Sequence, residues 1–275
     1  MIHEIIELKD YYPINTDAYL EVIIPYNDDN LLRKKSPGII IVPGGGYSFV
    51  SIREADPVAF SFASEGFLTF ILHYSIKTCY PTPMLELAYS IDYLRKNADK
   101  YYLDKDKLGI IGFSAGGHLV TSYGYLYDHN DFKKYIKLDS NILRPDFIVA
   151  SYPVITMKDK THIDTKLNIT NMEPKLIKLL SVEDNITSNY PPTFVWTTLE
   201  DACVPPENTM MYIKALKDNN IKHDYYIYPY LDHGLSIINP LIHEKEFLKT
   251  TKAKEVSLWF KKSVDFVNHI RTKVK

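Results

Sequence analysis

The chain reads as an α/β protein built on a mostly parallel sheet covered by helices on both faces. Three observations predict this. GIIIV at 38–42 is a continuous apolar run with no polar face, and largely apolar strand-like runs recur as KLGIIGF at 107–113 and TFVWTT at 193–198. Such runs suit strands buried on both sides, as parallel strands beneath crossover helices are. Stretches with helical spacing separate them, and strand–helix alternation with right-handed crossovers closes into a doubly covered sheet.

The elements follow in order. Residues 2–8 and 18–25 are predicted strands, β-branched segments between turn signals at Tyr12-Pro13 and Tyr26-Asn27-Asp28-Asp29-Asn30. After the 38–42 strand, Val58, Ala59, Phe62 and Ala63 share one face of a helix from about Pro57 to Glu65, which Gly66 stops. A strand at 67–74 precedes a longer helix from about Pro83 that carries Leu85, Leu87, Ala88, Ile91 and Leu94. The strand at 107–113 feeds a helix from about Ala115, and another strand is expected at 145–152. Residues 154–190 break the rhythm: charged at Lys158, Asp159, Lys160, Asp164 and Lys166, then apolar at Leu176, Leu179 and Leu180, they predict a short cap-like insertion over one end of the sheet. The sheet resumes at 193–198, followed by a helix near Glu207–Lys217 and a strand at 223–230. Val256, Trp259, Phe260, Val267 and Ile270 have the spacing of a final helix over about 256–270.

Composition limits the function classes. The 275 residues are 45% hydrophobic and 24% charged, which excludes extensive disorder and fits a single domain over 1–275 with that insertion. Lys and Arg total 32 against 34 Asp and Glu, so no overall field recruits nucleic acid or anionic lipid. The basic surplus in the last thirty-three residues reads as the solvated face of an amphipathic helix. Glu4 and Glu7 interrupt the apolar run a signal peptide needs, and no stretch reaches the roughly 18 apolar residues of a membrane helix. A cytoplasmic protein is expected. Two cysteines, Cys79 and Cys203, cannot make a disulfide framework.

The chemistry-bearing residues cluster around loops that follow strands. Gly112-Phe113-Ser114-Ala115-Gly116 lies between an apolar strand and a helix, the setting in which G-x-S-x-G holds a serine on a tight turn. Residues two before and two after the serine must then be nearly side-chain-free, and Gly112 and Gly116 are. Pro43-Gly44-Gly45-Gly46-Tyr47 ends the 38–42 strand, and its bare backbone can bring N–H groups close to a ligand. Gly45, Gly46 and Ala115 are the candidate oxyanion donors. A serine hydroxyl needs a base at neutral pH. Of nine histidines, His233 in Tyr230-Leu231-Asp232-His233-Gly234 sits on a glycine-bearing loop past a strand, whereas His118 fits packing on the elbow helix and His73 a strand end. Asp201, after the 193–198 strand, is the carboxylate candidate, with Glu200 and Asp232 as rivals. The chain order Ser114, Asp201, His233 is that of the α/β-hydrolases.

On PGGGY, SIREADPVAF, GFSAGGH, EDACVP and DHG, from about Ser36 to Ser236, the sequence resembles the α/β-hydrolase superfamily, and within it the bacterial acetyl-esterase and xylan-esterase-like group. The resemblance implies an eight-stranded mostly parallel sheet and cofactor-free hydrolysis of small carboxylic esters. Pro43 is a departure, since lipase-type relatives carry histidine before the glycines. Ser51, Arg53 and Glu54 either reach a substrate or shape a helix entry. Tyr47, Glu54 and Tyr152 are the substrate-binding candidates, the tyrosines for sugar contacts. The expected partner is a small ester, an acetylated sugar by family analogy, with no metal, nucleic acid or membrane partner; a homo-oligomer stays open. An amide-cleaving serine hydrolase (peptidase or formamidase) and a non-catalytic ligand receptor on the same fold are the alternatives.

Overall fold

The computed structural model describes residues 2–25 and 35–272. The expected turn at 26–30 lies outside the described residues. Eight strands form one sheet: β1 (Ile2–Glu7), β2 (Tyr19–Ile24), β3 (Ser36–Val42), β4 (Leu68–His73), β5 (Leu103–Phe113), β6 (Ile148–Ser151), β7 (Thr193–Thr198) and β8 (His223–Tyr228). Their spatial order is β1-β2-β4-β3-β5-β6-β7-β8. The β1–β2 and β2–β4 pairs are antiparallel, and all later pairs are parallel. Eight major helices complete the described architecture: α1 (Asp56–Ser64), α2 (Thr82–Lys96), α3 (Ser114–Leu126), α4 (Ile163–Thr170), α5 (Pro174–Leu180), α6 (Glu207–Asp218), α7 (Lys245–Lys249) and α8 (Thr251–Thr272).

Strand periodicity divides the core in two. Ile40 and Val42 of β3 join Leu108 and Ile110 of β5 on one face, while Ile39, Ile41, Ile111 and Phe113 point to the other. Both faces are dry, which is why neither strand carries a polar stripe. Leu87, Ile91, Leu119, Val120, Tyr212 and Leu216 bring α2, α3 and α6 onto the first face. Val58, Phe62, Val256, Trp259 and Val267 bring α1 and α8 onto the second. There Trp259 stacks on Trp196 of β7 with ring centroids 5.0 Å apart.

Two elements start well before their expected boundaries, and the 154–190 segment gains a definite structure. β5 starts at Leu103, because a register shift lets Leu103 pair with Ser36 before the regular ladder begins at Gly38–Leu108. α8 begins five residues early, at Thr251, since the Thr250 hydroxyl accepts the Ala253 N–H at 3.1 Å and caps it. Residues 154–190 contain α4 and α5, which insert Ile169, Leu179 and Leu180 into the first core.

His118 ties three of these pieces together. It is fully buried in α3, and its Nε2 lies 2.9 Å from the Leu180 carbonyl, which can only accept. Nε2 therefore carries the hydrogen, and Nδ1 accepts the Tyr47 hydroxyl at 2.9 Å. The elbow helix, the glycine loop and the 154–190 segment thus meet on one imidazole. Burial pushes its pKa down to about 4. The unfolded ring binds a proton first as the pH falls, so this group's stability is intact above about 6.5 and lost progressively down to about 4, by about 3 kcal/mol. His118→Gln retains one N–H and one C=O without titrating. Urea unfolding at pH steps from about 7 to about 4 should show the parent losing about 3 kcal/mol relative to the variant; parallel profiles would contradict this.

Candidate active site

Ser114 is the first residue of α3 and follows β5 without a connecting residue. Its φ of 53° lies in the left-handed region, which a non-glycine residue occupies only when its surroundings enforce it. The enforcement is steric and hydrogen-bonded. A Cβ on Gly112 would lie 2.1 Å from the Gly116 carbonyl oxygen, and one on Gly116 would lie 2.2 Å from that of Val42. The two glycines let strand and helix close to that distance, and the Ser114 carbonyl accepts the Val154 N–H at 3.1 Å. The first-turn N–H groups of α3, that of Ala115 among them, have no intrahelical acceptor and form the positive end of the helix dipole.

Ser114 at the β5–α3 junction meets Asp201 and His233, which come from two separate loops. Ser114 Oγ lies 2.8 Å from His233 Nε2, and His233 Nδ1 lies 2.6 Å from Asp201 Oδ2. An ionised carboxylate only accepts, so Nδ1 carries the hydrogen and Nε2 is free to accept from the serine hydroxyl. The Asp201 side chain is buried, and its Oδ1 accepts N–H bonds from Cys203 at 3.0 Å and Val204 at 2.8 Å. Its two rivals do other work. Glu200 Oε2 accepts the Leu231 N–H at 2.7 Å, and Asp232 Oδ1 accepts those of Ala202 and His233 at 3.0 and 2.7 Å. Those two backbone donors hold the Asp232 carboxyl below its usual range. Together the rivals lace the Asp201 loop to the His233 loop. Further along, the Trp259 indole donates to the Ser236 carbonyl at 3.1 Å and anchors the same loop to α8.

The glycine loop forms the facing wall. Gly45 and Gly46 have φ of 127° and 62°, and a Cβ on Gly45 would collide with the Phe49 carbonyl oxygen at 2.0 Å. The Gly45 carbonyl accepts from Ser48 and Phe49, while the N–H groups of Gly45 and Gly46 have no hydrogen-bond partner among the described residues. Both glycines line a cavity of about 450 Å³ with Ser114 and His233; Ser48, Phe49, Ser51, Arg53, Glu54, His162, Asp164, Cys203 and Gly234 complete it. Pro43, the residue before the glycines, presents its carbonyl to the Tyr74 hydroxyl at 3.0 Å. A second hollow of about 610 Å³ lies beyond Phe49 and contains none of the three converging side chains.

Two of the three substrate-binding candidates need correction. Tyr47 has φ 57°, which turns its ring into the core against Tyr74 and His118, and none of it is exposed. Tyr152 is buried as well. Its hydroxyl donates to Glu54 Oε1 at 2.7 Å and accepts the Ser236 N–H at 2.9 Å, and its ring packs edge-on against His233 at 4.8 Å. Glu54 reaches the cavity wall, but its other oxygen accepts the Gly44 N–H at 2.7 Å. Burial raises the Glu54 pKa, opposed by the bonds from Tyr152 and Gly44. Glu54 and Tyr152 thus connect the glycine loop to the His233 loop. His162, the N-cap of α4, and Asp164 in its first turn also line the cavity, and no sequence motif marks either. Among the described residues no cluster of three His, Cys, Asp or Glu could hold a metal ion, and no helix is long and apolar enough to cross a membrane.

The BD-FAE family model matches residues 22–216. Endo-1,4-beta-xylanase B of Butyrivibrio fibrisolvens is 32% identical over 234 residues, 82% of this chain and 35% of that protein. The acetylxylan esterase of Xylanibacter ruminicola is 28% identical over 205 residues, 71% of this chain and 40% of the relative. The chain therefore spans well under half the length of these two curated relatives. Among solved structures, the acetyl ester-xyloside bifunctional hydrolase from Caldicellulosiruptor lactoaceticus superposes with a TM-score of 0.81 at 28% identity, covering 97% of this chain and 96% of that one. The carboxylesterase Cest-2923 from Lactobacillus plantarum shares the fold, with a TM-score of 0.82 at 23% identity over 98% of each chain. The chain belongs to the BD-FAE family of esterase-like α/β-hydrolases.

Proposed function

We propose that the protein is a serine carboxylic ester hydrolase that removes acetyl groups from sugars or short oligosaccharides. The observation that carries this reading is the Ser114–His233–Asp201 hydrogen-bond relay opening on the cavity beside the glycine loop. In the proposed reaction His233 Nε2 takes the Ser114 proton as Oγ attacks the ester carbonyl. The N–H groups of Gly45, Gly46 and Ala115 hold the oxyanion, and one such donor typically contributes about 2.7–4 kcal/mol to the transition state. Asp201 stabilises the imidazolium and keeps its tautomer. His233 returns the proton to the departing alcohol oxygen, which leaves an acyl ester on Ser114. Water, deprotonated by His233, then releases the carboxylate and restores the serine.

The acetylated-sugar substrate is supported by the activities that the acetylxylan esterase and the acetyl ester-xyloside hydrolase are named for. Residues 1–275 are read as one α/β-hydrolase domain, with 154–190 as its small cap. A receptor without catalysis would have no use for the relay, which favours the enzyme reading.

Ser114→Ala should lower kcat on p-nitrophenyl acetate by several orders of magnitude, leaving roughly 10³–10⁴-fold catalysis over water. Near-parental turnover would rule the assignment out. Glu54→Gln offers one acceptor where the carboxylate offers two, so either Gly44 N–H or the Tyr152 hydroxyl loses its partner. Steady-state kinetics on the same ester should show kcat reduced about tenfold or more, with an unchanged circular dichroism spectrum. A parental kcat would contradict a positioning role for Glu54.

A further inference from the structure

One donor in the cavity has no task in the ester mechanism. His162 lines the cavity from the 154–190 segment and is the N-cap of α4. Its Nδ1 accepts the Thr165 N–H at 3.3 Å and lies 2.9 Å from the Thr165 hydroxyl. A backbone N–H can only donate, so Nδ1 is the bare nitrogen and Nε2 carries the hydrogen. Burial holds this imidazole below its ordinary range, which favours the neutral ring at neutral pH. No group among the described residues takes the Nε2 hydrogen.

The ring is fixed at the edge of the reaction centre. A Cβ on Gly46 would touch His162 Cε1 at 3.4 Å. The segment that carries the ring is pinned to the glycine loop, because Asn168 Nδ2 donates to the Gly46 carbonyl and the Ser48 hydroxyl, each at 2.8 Å. A half-buried N–H held in this way, without a partner, is a donor prepared for something that enters the cavity.

We propose that His162 selects the alcohol half of the substrate, its Nε2–H donating to a hydroxyl or ring oxygen of a bound sugar ester. This rests on the ester-hydrolase reading above. An acetyl group has one acceptor, the carbonyl oxygen, and in that reading Gly45, Gly46 and Ala115 hold it. The acceptor for a further donor must then come from the alcohol. His162 is a specificity-determining residue in this scheme and transfers no proton.

The test is the ratio of kcat/KM for an acetylated methyl pyranoside to that for cyclohexyl acetate, whose alcohol is a six-membered ring without further oxygens. Parent, His162→Asn and His162→Phe are compared. Asparagine keeps a cap acceptor for the Thr165 N–H but removes the Nε2 donor; phenylalanine keeps a ring and removes both. Loss of one neutral hydrogen bond should reduce the ratio about 3- to 10-fold in both variants, chiefly through a higher KM for the pyranoside. A ratio that falls only in His162→Phe makes the residue a helix cap and overturns the inference. Equal loss of kcat on both esters makes it an oxyanion donor and also overturns it. A parent with no preference for the pyranoside defeats the sugar reading together with this inference, whereas a parental preference that His162→Asn leaves at its full size defeats the inference alone.

Discussion

The strained backbone at Ser114 is the constraint on which the rest of the site depends. A serine in the left-handed region at the junction of β5 and α3 is raised out of both elements, so its hydroxyl faces a cavity while the residues around it remain core. That conformation costs on the order of 1–3 kcal/mol and persists only where the neighbours over-determine it. Here they do. Gly112 and Gly116 allow the α3 backbone to press against β5 and the end of β3, and the buried Ile110 and Leu119 hold strand and helix together from within the first core.

Carboxylates, two of them buried (Asp201 and Glu54) and two exposed (Glu200 and Asp232), perform most of the remaining assembly. Asp201 orients His233 with one oxygen and gathers two backbone N–H groups with the other. Glu200 and Asp232 lace the same two loops from outside. Glu54 joins the glycine loop to Tyr152, and Tyr152 in turn holds the Ser236 backbone. Each loop is irregular, and each would otherwise present unpaired backbone donors close to a partly dry cavity, where an unmade bond is expensive. The acid side chains therefore supply rigidity at the points where secondary structure has ended.

Legibility in the sequence followed the physics of each signal. The sheet could be read because both faces of β3, β5 and β7 are covered, and a short apolar run between turn signals suits a strand with no wet side. The Ser114 turn could be read because its steric demand falls on residues at fixed spacing, and chain order then singled out Asp201 and His233. What stayed hidden depends on backbone direction. Nothing in the residue types of Tyr47 or Tyr152 tells that φ angles of 57° and 37° turn them inward, so two tyrosines beside the cavity-lining loops read as sugar contacts and are core. His162 was hidden for the opposite reason: it reaches the cavity only because α4 docks on the glycine loop through Asn168, a long-range contact with no local pattern.

The central claim, that Ser114 is activated by the relay to His233 and Asp201, is tested most directly by covalent labelling. The native protein is treated with a fluorophosphonate, digested and analysed by mass spectrometry. The account predicts a single stoichiometric adduct on the peptide that contains Ser114, absent after labelling of the urea-unfolded chain. An unlabelled native protein, or an adduct carried by another residue while Ser114 stays unmodified, would contradict it.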